Sequence, residues 1–185
     1  MTKILPVRHQ PGLPLDRVIL RDPPGAEAIE MDVLIVGAGP AGLSCANELA
    51  RLVKQDQEAG GGISDLNIAV LEKAGSLGEH SLSGAVVNPR AFQELFPDLN
   101  PEDFPFRQPV NAEAVYLLTE HRAQRIPTPP TMQNRSYYTA SLCEIVRWLG
   151  ERAEEHGINL FAGFPADALT TADYTIDMPL SLLAL

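Results

Sequence analysis

The sequence predicts an α/β fold with a parallel β-sheet, because short aliphatic runs alternate with amphipathic helical patterns. Residues 33–36 are a β-branched and aliphatic run, and residues 67–71 and 158–161 are mostly apolar runs of strand length. Such runs are typical of strands that are buried on both faces of a parallel sheet. We therefore expect three parallel strands, an incomplete set for a doubly wound sheet, with helices packed against them.

A glycine turn follows the first of these strands. Gly37, Gly39 and Gly42 have the spacing G-x-G-x-x-G. In a strand–turn–helix unit the first glycine permits the tight turn, the second lets the backbone approach a pyrophosphate, and the third lets the helix pack closely. Unpaired N–H groups and the helix dipole then face the diphosphate. The order of elements predicts a Rossmann-like dinucleotide site, and the alternative is a glycine-rich turn between a core strand and a core helix.

The helix after the turn is amphipathic. Its periodicity predicts an apolar stripe of Leu43, Ala46, Leu49 and Val53 and a solvated face with Asn47, Glu48 and Arg51. We expect a flexible connection over residues 55–65, which contain three consecutive glycines.

Glu72 closes the second predicted strand. An acidic residue at this place can accept hydrogen bonds from the ribose hydroxyls of the adenosine half of a dinucleotide. Glu72 lies 30 residues after Gly42, and the glycine-rich connection accounts for this long spacing. The alternative is a solvated charge at the end of a strand.

Glu72, Lys73 and Gly78 are similar to the E-K-x-x-x-x-G continuation of glutathione-reductase-like flavoproteins. This resemblance implies FAD rather than NAD, and an FAD-binding domain of the glutathione-reductase type.

Composition and charge exclude several other classes. The chain has 185 residues and a formal charge of −10, which argues against nucleic-acid binding because that would need a basic face. No apolar run approaches the ~20 residues of a membrane-spanning helix, and no signal or transit peptide is recognisable. Cys45 and Cys143 form no C-x-x-C pair, so we predict no metal site.

We divide the chain into an extended, proline-containing arm (residues 1–30), an FAD-binding domain (31–169) and a divergent tail (170–185). Within the domain, residues 99–110 are interpreted as a loop because they contain three prolines. Alternating residues then predict a small β-hairpin excursion at about 111–130.

The last helix has its own boundary signals. Ser141 and Glu144 have the spacing of a capping box, and Gly157 is a suitable C′ residue before the third strand. Arg147 is interpreted as a solvated charge and Trp148 as a packing aromatic residue.

Pro89 is expected to open a short helix whose apolar edge contains Phe92, Leu95 and Phe96. Composition favours core packing for this edge, and contact with a membrane or an apolar ligand is the alternative. His80 is interpreted as structural because no partner residue is identifiable, and no catalytic residue is predicted.

Three segments together resemble the electron transfer flavoprotein–ubiquinone oxidoreductases. They are DVLIVGAGPAGLSCANELARL (32–52), LEKAGSLGEHSLSGAVVNPRAFQELFPD (71–98) and SLCEIVRWLGERAEEHGINLFAGFPADAL (141–169). The first is common to many flavoproteins, whereas Leu82-Ser83-Gly84-Ala85 followed by Asn88-Pro89 is much more specific.

The resemblance implies electron transfer from reduced electron transfer flavoprotein, through FAD and a 4Fe-4S cluster, to ubiquinone in the membrane. It implies a peripheral position on an inner or cytoplasmic membrane, with contact through about Leu77–Asp98. For Phe92, Leu95 and Phe96 it favours membrane contact over core packing. It also implies FAD contacts from residues 33–47 and from Glu72. The candidate cofactor-binding residues are Val36, Gly37, Gly39, Pro40, Ala41, Gly42, Glu72, Lys73, Gly78, Ser83 and Gly84.

Family members continue for several hundred residues and carry cluster cysteines that are absent here, so we expect an N-terminal fragment that is inactive alone and retains FAD weakly or not at all. Two alternatives remain open. One is another FAD-dependent reductase or hydroxylase of the same superfamily, and the other is a non-catalytic fragment.

Overall fold

The computed structural model describes residues 12, 14–20 and 25–170. The chain forms two compact units, Met31–Pro165 and a smaller one made of Met1–Glu30 with Ala166–Leu185. The predicted tail lies outside the described residues except for Thr170, and so does most of the arm.

The helices and strands, in chain order, are α1 (Leu15–Val18), β1 (Ile19–Leu20), β2 (Val33–Val36), α2 (Pro40–Glu58), β3 (Ile68–Glu72), β4 (Ala85–Val87), α3 (Arg90–Leu95), β5 (Phe106–Pro109), β6 (Val115–Leu118), β7 (Ala123–Ile126), β8 (Tyr138–Ala140), α4 (Leu142–Glu155), β9 (Asn159–Ala162) and β10 (Leu169–Thr170). Short 3-10 helices cover Pro101–Asp103 and Pro130–Met132. Helix α2 extends to Glu58, so the predicted connection at 55–65 begins too early.

In the smaller unit, β1 and β10 pair in parallel, with Ile19 opposite Leu169. The arm was expected to be extended throughout, but residues 15–18 form one turn of helix.

The larger unit is built on a parallel sheet of order β2-β3-β9. The three predicted parallel strands are therefore confirmed. Side chains from α2, α4 and one face of this sheet form the core, in which Leu43, Val70 and Leu149 are at most 2% exposed. On the other face, Leu34 is 53% and Val36 62% exposed. The prediction that the first strand is buried on both faces is wrong, because both helices cover the same face.

Asn47 does not follow the predicted pattern of α2. The helical periodicity predicts that it lies on the solvated face, yet it is only 1% exposed. Its Nδ2 donates hydrogen bonds to the carbonyl oxygens of Leu43 (2.8 Å) and Leu149 (3.1 Å). Because α4 packs beside α2, the buried arc of α2 is wider than the apolar stripe.

The predicted C-terminal end of α4 is confirmed, whereas its predicted N-terminal capping box is wrong. Ser141 flanks the helix but makes no capping hydrogen bond, and its Oγ lies 3.3 Å from Ser83 Oγ. Glu144 forms an ion pair with Arg107 at 2.5 Å, so the predicted capping box is wrong. Gly157 is confirmed as the helix terminator, with φ +78°.

A second, antiparallel sheet has the order β4-β8-β5. The interpretation of residues 99–110 as a loop is wrong, because β5 lies within them. Pro109 is tolerated there since β5 is at the edge of the sheet, where a missing N–H costs no ladder bond. The predicted hairpin is confirmed as β6–β7, with Val115 opposite Ile126.

An aromatic cluster joins α3 to α4. Ring centroids lie 4.9 Å apart for Phe92 and Phe106, and 5.0 Å apart for Phe96 and Trp148. Phe96 is 8% exposed, and Phe92 and Leu95 pack against the same core. The core-packing interpretation that composition favours is confirmed, and so is the packing role of Trp148. The membrane contact that the resemblance favours for Phe92, Leu95 and Phe96 is wrong, because these side chains pack against the core. Pro89 immediately precedes α3 rather than being its first residue.

No helix in the described part of the chain combines the length and the apolar character that crossing a bilayer would require.

Candidate cofactor site

The glycine turn lies between β2 and α2, at the carboxyl end of the parallel sheet. Gly37 has φ +101°, a conformation that favours glycine, and its N–H donates to the carbonyl oxygen of Leu71 (2.8 Å). A Cβ on Gly42 would overlap the carbonyl oxygen of Gly37. The fold itself therefore requires glycine at these two positions.

Gly39 is different. Its φ of −79° suits any residue, and a Cβ built on it would meet no atom within 4 Å. Nothing in the fold of the turn demands a glycine here. What a glycine does provide is open space directly beside the backbone at the start of α2.

The first amides of α2 point out of the turn without acceptors. Leu43 N–H donates to the carbonyl oxygen of Gly39 (3.0 Å), whereas the N–H groups of Gly39, Ala41 and Gly42 have no acceptor among the described residues. Pro40, which has no N–H to satisfy, occupies the first position of this 19-residue helix. These unpaired donors, together with the positive end of the helix dipole, form an anion-binding geometry.

Glu72, at the end of β3, connects two loops. Its Oε2 accepts a hydrogen bond from Ala38 N–H (3.0 Å), and its Oε1 accepts one from Ala74 N–H (2.8 Å). The side chain is half-buried. Glu72 therefore lies beside the glycine turn, as expected, because the parallel strands β2 and β3 end at the same edge of the sheet.

Backbone bonds bring the end of β9 to the same edge. Gly163 N–H donates to the carbonyl oxygen of Ala74 (2.7 Å), and Phe164 N–H donates to that of Glu72 (2.8 Å). Sequence reasoning missed Ala74 and Gly163 as parts of this region, and it included Ala38 only as a member of the segment 33–47. The glycine directly after the third strand was a usable signal for Gly163, while nothing in the sequence distinguishes Ala38 or Ala74.

The remaining predicted residues fall into two groups. Val36 and Lys73 lie beside the turn and Glu72 and are exposed. Gly78, Ser83 and Gly84 belong to a segment that lies against α4, and no hydrogen bond in the described part of the chain joins it to the glycine turn.

The segment 77–84 is held against the first half of α4. Gly78 has φ +78°, and a Cβ on it would lie 2.7 Å from the carbonyl oxygen of Cys143. Cys143 Sγ in turn donates to the carbonyl oxygen of Ser81 (2.8 Å), and Arg147 Nε donates to that of Leu77 (3.3 Å). Gly78 therefore has a packing reason to be glycine.

A groove of about 510 Å³ lies at the other end of α2. Arg51, Lys54, Asp98 and His156 contribute to its walls, and none of the predicted site residues does. Within the described residues no group of three His, Cys, Asp or Glu side chains is placed to hold a metal ion.

Comparison with known proteins identifies the family. The model of a family described as "FAD binding domain" matches residues 30–170. The chain belongs to this family. An FAD-binding domain, with mixed α/β structure and parallel strands, confirms the predicted fold class.

Sequence relatives of this FAD-binding domain confirm the resemblance to electron transfer flavoprotein–ubiquinone oxidoreductases. The chain is 43% identical, over 81% of its length, to a probable enzyme of that name from Acinetobacter baylyi. It is 41% identical over 78% of its length to the mitochondrial protein of Oryza sativa subsp. japonica, and 42% identical over 75% to that of Sus scrofa. It covers 26%, 24% and 22% of these three proteins, so it spans about a quarter of the relatives that it matches.

Proposed function

We propose that residues 31–169 bind the adenosine diphosphate half of FAD. The N–H groups of Gly39, Ala41 and Gly42 would hold the diphosphate, and the carboxylate of Glu72 would accept the ribose hydroxyls. The single observation that carries this proposal is the open, unstrained glycine at position 39. A residue that the fold does not require, next to unpaired amides, is best explained by the close approach of a ligand.

The donors and acceptors present fit this half of FAD. Three backbone N–H groups without acceptors suit an anion at a helix N-terminus. A carboxylate has about four acceptor positions, and the two backbone bonds to Glu72 leave the others for hydroxyl groups. When bound, FAD would supply the redox chemistry of its isoalloxazine ring.

Gly39→Ala tests this proposal. Since the added methyl group meets no protein atom, we expect an unchanged free energy of unfolding but FAD binding at least about 10-fold weaker, measured by fluorescence titration. Gly62→Ala is the matched control, because that exposed glycine also has open surroundings and no positive φ. Equal FAD affinity of both variants would contradict the proposed diphosphate site.

Gly78, Ser83, Gly84, Lys73 and Val36 remain proposed FAD contacts that follow from the family resemblance. For Gly84 the supporting observation is an exposed backbone with φ +88° and open space beside it. Ser83 has its hydroxyl 3.3 Å from Ser141 Oγ, which fixes its position at the start of α4.

We further propose that this FAD-binding domain serves electron transfer from reduced electron transfer flavoprotein to ubiquinone. The support is the identity of 40–43% to proteins of that name. A hybrid in which residues 31–169 replace the matching segment of the Acinetobacter baylyi protein should reduce ubiquinone when supplied with reduced electron transfer flavoprotein. A folded, FAD-loaded hybrid that instead oxidises NADPH with a small substrate would favour the alternative reductase or hydroxylase.

A 4Fe-4S cluster is a feature of the resemblance that we do not assign to this chain. Such a cluster is held by four cysteine thiolates, and the 185 residues contain two cysteines.

Peripheral membrane contact through residues 77–98 is also proposed from the resemblance. Within this segment Leu82 is 85% and Val86 48% exposed, whereas Phe92, Leu95 and Phe96 pack inward. Contact would therefore involve Leu82 and Val86. Co-sedimentation with phosphatidylcholine–cardiolipin vesicles should fall on Leu82→Asp and be kept on Leu52→Asp, a change at an exposed leucine of α2 outside the segment.

A further inference from the structure

The bond between Glu72 and the glycine turn exists within the protein itself. Glu72 Oε2 and Ala38 N are 3.0 Å apart, although the two residues are 34 positions apart in sequence. Ala38 is 2% exposed, so water has little access to its backbone. A buried N–H without an acceptor carries an uncompensated desolvation penalty, so the amide of Ala38 depends on this carboxylate.

Ala38 stands between the two glycines that shape the turn. Gly37 N–H, on one side, is bonded to Leu71, and the N–H of Gly39, on the other side, has no acceptor among the described residues. The Ala38 N–H is thus the last donor in the turn that is hydrogen-bonded to a residue of the sheet, because the next one, Gly39 N–H, has no acceptor among the described residues. Holding the Ala38 amide leaves only the φ and ψ angles of Ala38 free between the sheet and the Gly39 amide, so it limits the directions that the Gly39 amide can take.

The second oxygen of Glu72 prevents the carboxylate from turning. Oε1 accepts from Ala74 N–H at 2.8 Å, while the carbonyl oxygens of Glu72 and Ala74 accept bonds from Phe164 and Gly163. The carboxylate is therefore held on both sides by backbone groups.

We propose that Glu72 is a positioning residue for the diphosphate turn, in addition to its expected bond to ribose. By holding Ala38, it sets the orientation of the free amides before any ligand arrives. The consequence for affinity rests on the proposed FAD function, whereas the ordering of the turn concerns the ligand-free chain.

Glu72→Gln separates this role from a ribose contact. Glutamine offers one acceptor oxygen and one NH₂ group, so it can accept from Ala38 or from Ala74 but not from both. Glu79→Gln is the matched control, because Glu79 Oε2 accepts from the backbone N–H of Ser76 (3.1 Å) in an exposed loop.

The first measurement uses the ligand-free chain. In Glu72→Gln, hydrogen exchange of the Ala38 or Ala74 amide should accelerate about 10-fold or more, while the amide of Leu160 in β9 changes less than about 2-fold. Glu79→Gln should leave all three unchanged. Unaltered exchange at both alanines would overturn the proposal, and so would equal acceleration at Leu160, which would indicate general destabilisation.

The second measurement compares ADP with 2′,3′-dideoxy-ADP by calorimetry. If Glu72 positions the turn, Glu72→Gln should weaken both ligands, with at least about a 5-fold loss remaining for the dideoxy ligand. A loss for ADP that disappears with the dideoxy ligand would assign Glu72 to the ribose alone and overturn the proposal.

Two safeguards keep the result interpretable. If Glu72→Gln does not fold, Glu72→Asp serves instead, because its shorter side chain keeps the charge but cannot span both amides. If the wild-type chain binds neither nucleotide, the proposed function is contradicted, and amide exchange alone decides whether Glu72 orders the turn.

Discussion

The two faces of the parallel sheet differ sharply in what covers them. On one face, side chains of β2 and β3 pack against α2 and α4, and Leu43, Val70, Val146 and Leu149 are almost completely buried. On the other face, Leu34 and Val36 keep more than half of their surface exposed, at 53% and 62%. Leu34 and Val36 are as apolar as Val33 and Ile35 on the covered face, so the composition of this strand alone does not tell which face carries the core.

This difference separates stability from binding. Most of the apolar burial lies between the sheet and the two helices, whereas the candidate site lies at the carboxyl end of the strands and is built mainly from backbone groups. Substitutions in the helix-covered face should therefore affect folding, and substitutions in the turn can affect binding alone.

The largest expected effect on stability comes from creating a cavity in the core on the helix-covered face. Leu149→Ala should lower the free energy of unfolding by about 2–5 kcal/mol in urea denaturation, because it leaves a cavity between α4 and the sheet. Leu34→Ala, on the open face, should change it by less than about 1 kcal/mol. Similar losses for the two variants would mean that the open face is also covered in solution.

The next effect sharpens the contrast within the glycine turn. Gly42→Ala would place a methyl group on the carbonyl oxygen of Gly37 and should cost about 1–3 kcal/mol of stability. Gly39→Ala, three residues earlier and unobstructed, should cost less than about 0.5 kcal/mol. Thermal unfolding of both variants checks this, and an equally destabilised Gly39→Ala would remove the argument that position 39 is reserved for a ligand.

Asn47 tests whether polar contacts also hold the covered face together. Asn47→Ala removes the bond from Nδ2 to Leu149 and should destabilise by about 1–2 kcal/mol. Asn47→Leu is the informative companion, since it fills the space and also removes Oδ1, which has no partner among the described residues. If the leucine variant is as unstable as the alanine variant, the hydrogen bond matters more than the packing.

The smallest effect is a pH dependence at the end of α4. Burial lowers the pKa of His156, and the nearby charges of Lys54 and Arg152 act in the same direction against the opposing effect of Glu155. The native state therefore favours the neutral imidazole, so stability is fully present above the unfolded pKa of about 6.5 and declines as the pH falls below it. His156→Gln should flatten this part of the stability profile, and an unchanged slope would contradict the assignment.

Local patterns predicted the parallel strands and the glycine turn, because apolar runs of strand length and turn geometry depend on adjacent residues. Three of the failures involve distant partners. Ser141 has the spacing of a cap, but its hydroxyl lies beside Ser83, 58 positions away. Asn47 is buried because α4 lies beside it. Strand β5 has only four residues, and it forms because two of them pair with residues of β8, about 30 positions later in the chain.

Only part of the candidate site could be predicted from the sequence. Gly37, Gly42 and Glu72 meet as expected, since parallel strands end at one edge. The contacts of Glu72 with Ala38 and Ala74 were not predictable, because backbone amides have no signature in a sequence. Gly78 follows the flavoprotein pattern, yet the structure explains it by its close packing on Cys143.

Competition for FAD is the most direct test of the account. The purified chain should bind FAD weakly but saturably, and ADP should displace it whereas FMN should not, because the glycine turn and Glu72 contact only the adenosine diphosphate half. Displacement by FMN with no effect of ADP would contradict the assignment of this edge of the sheet to the nucleotide.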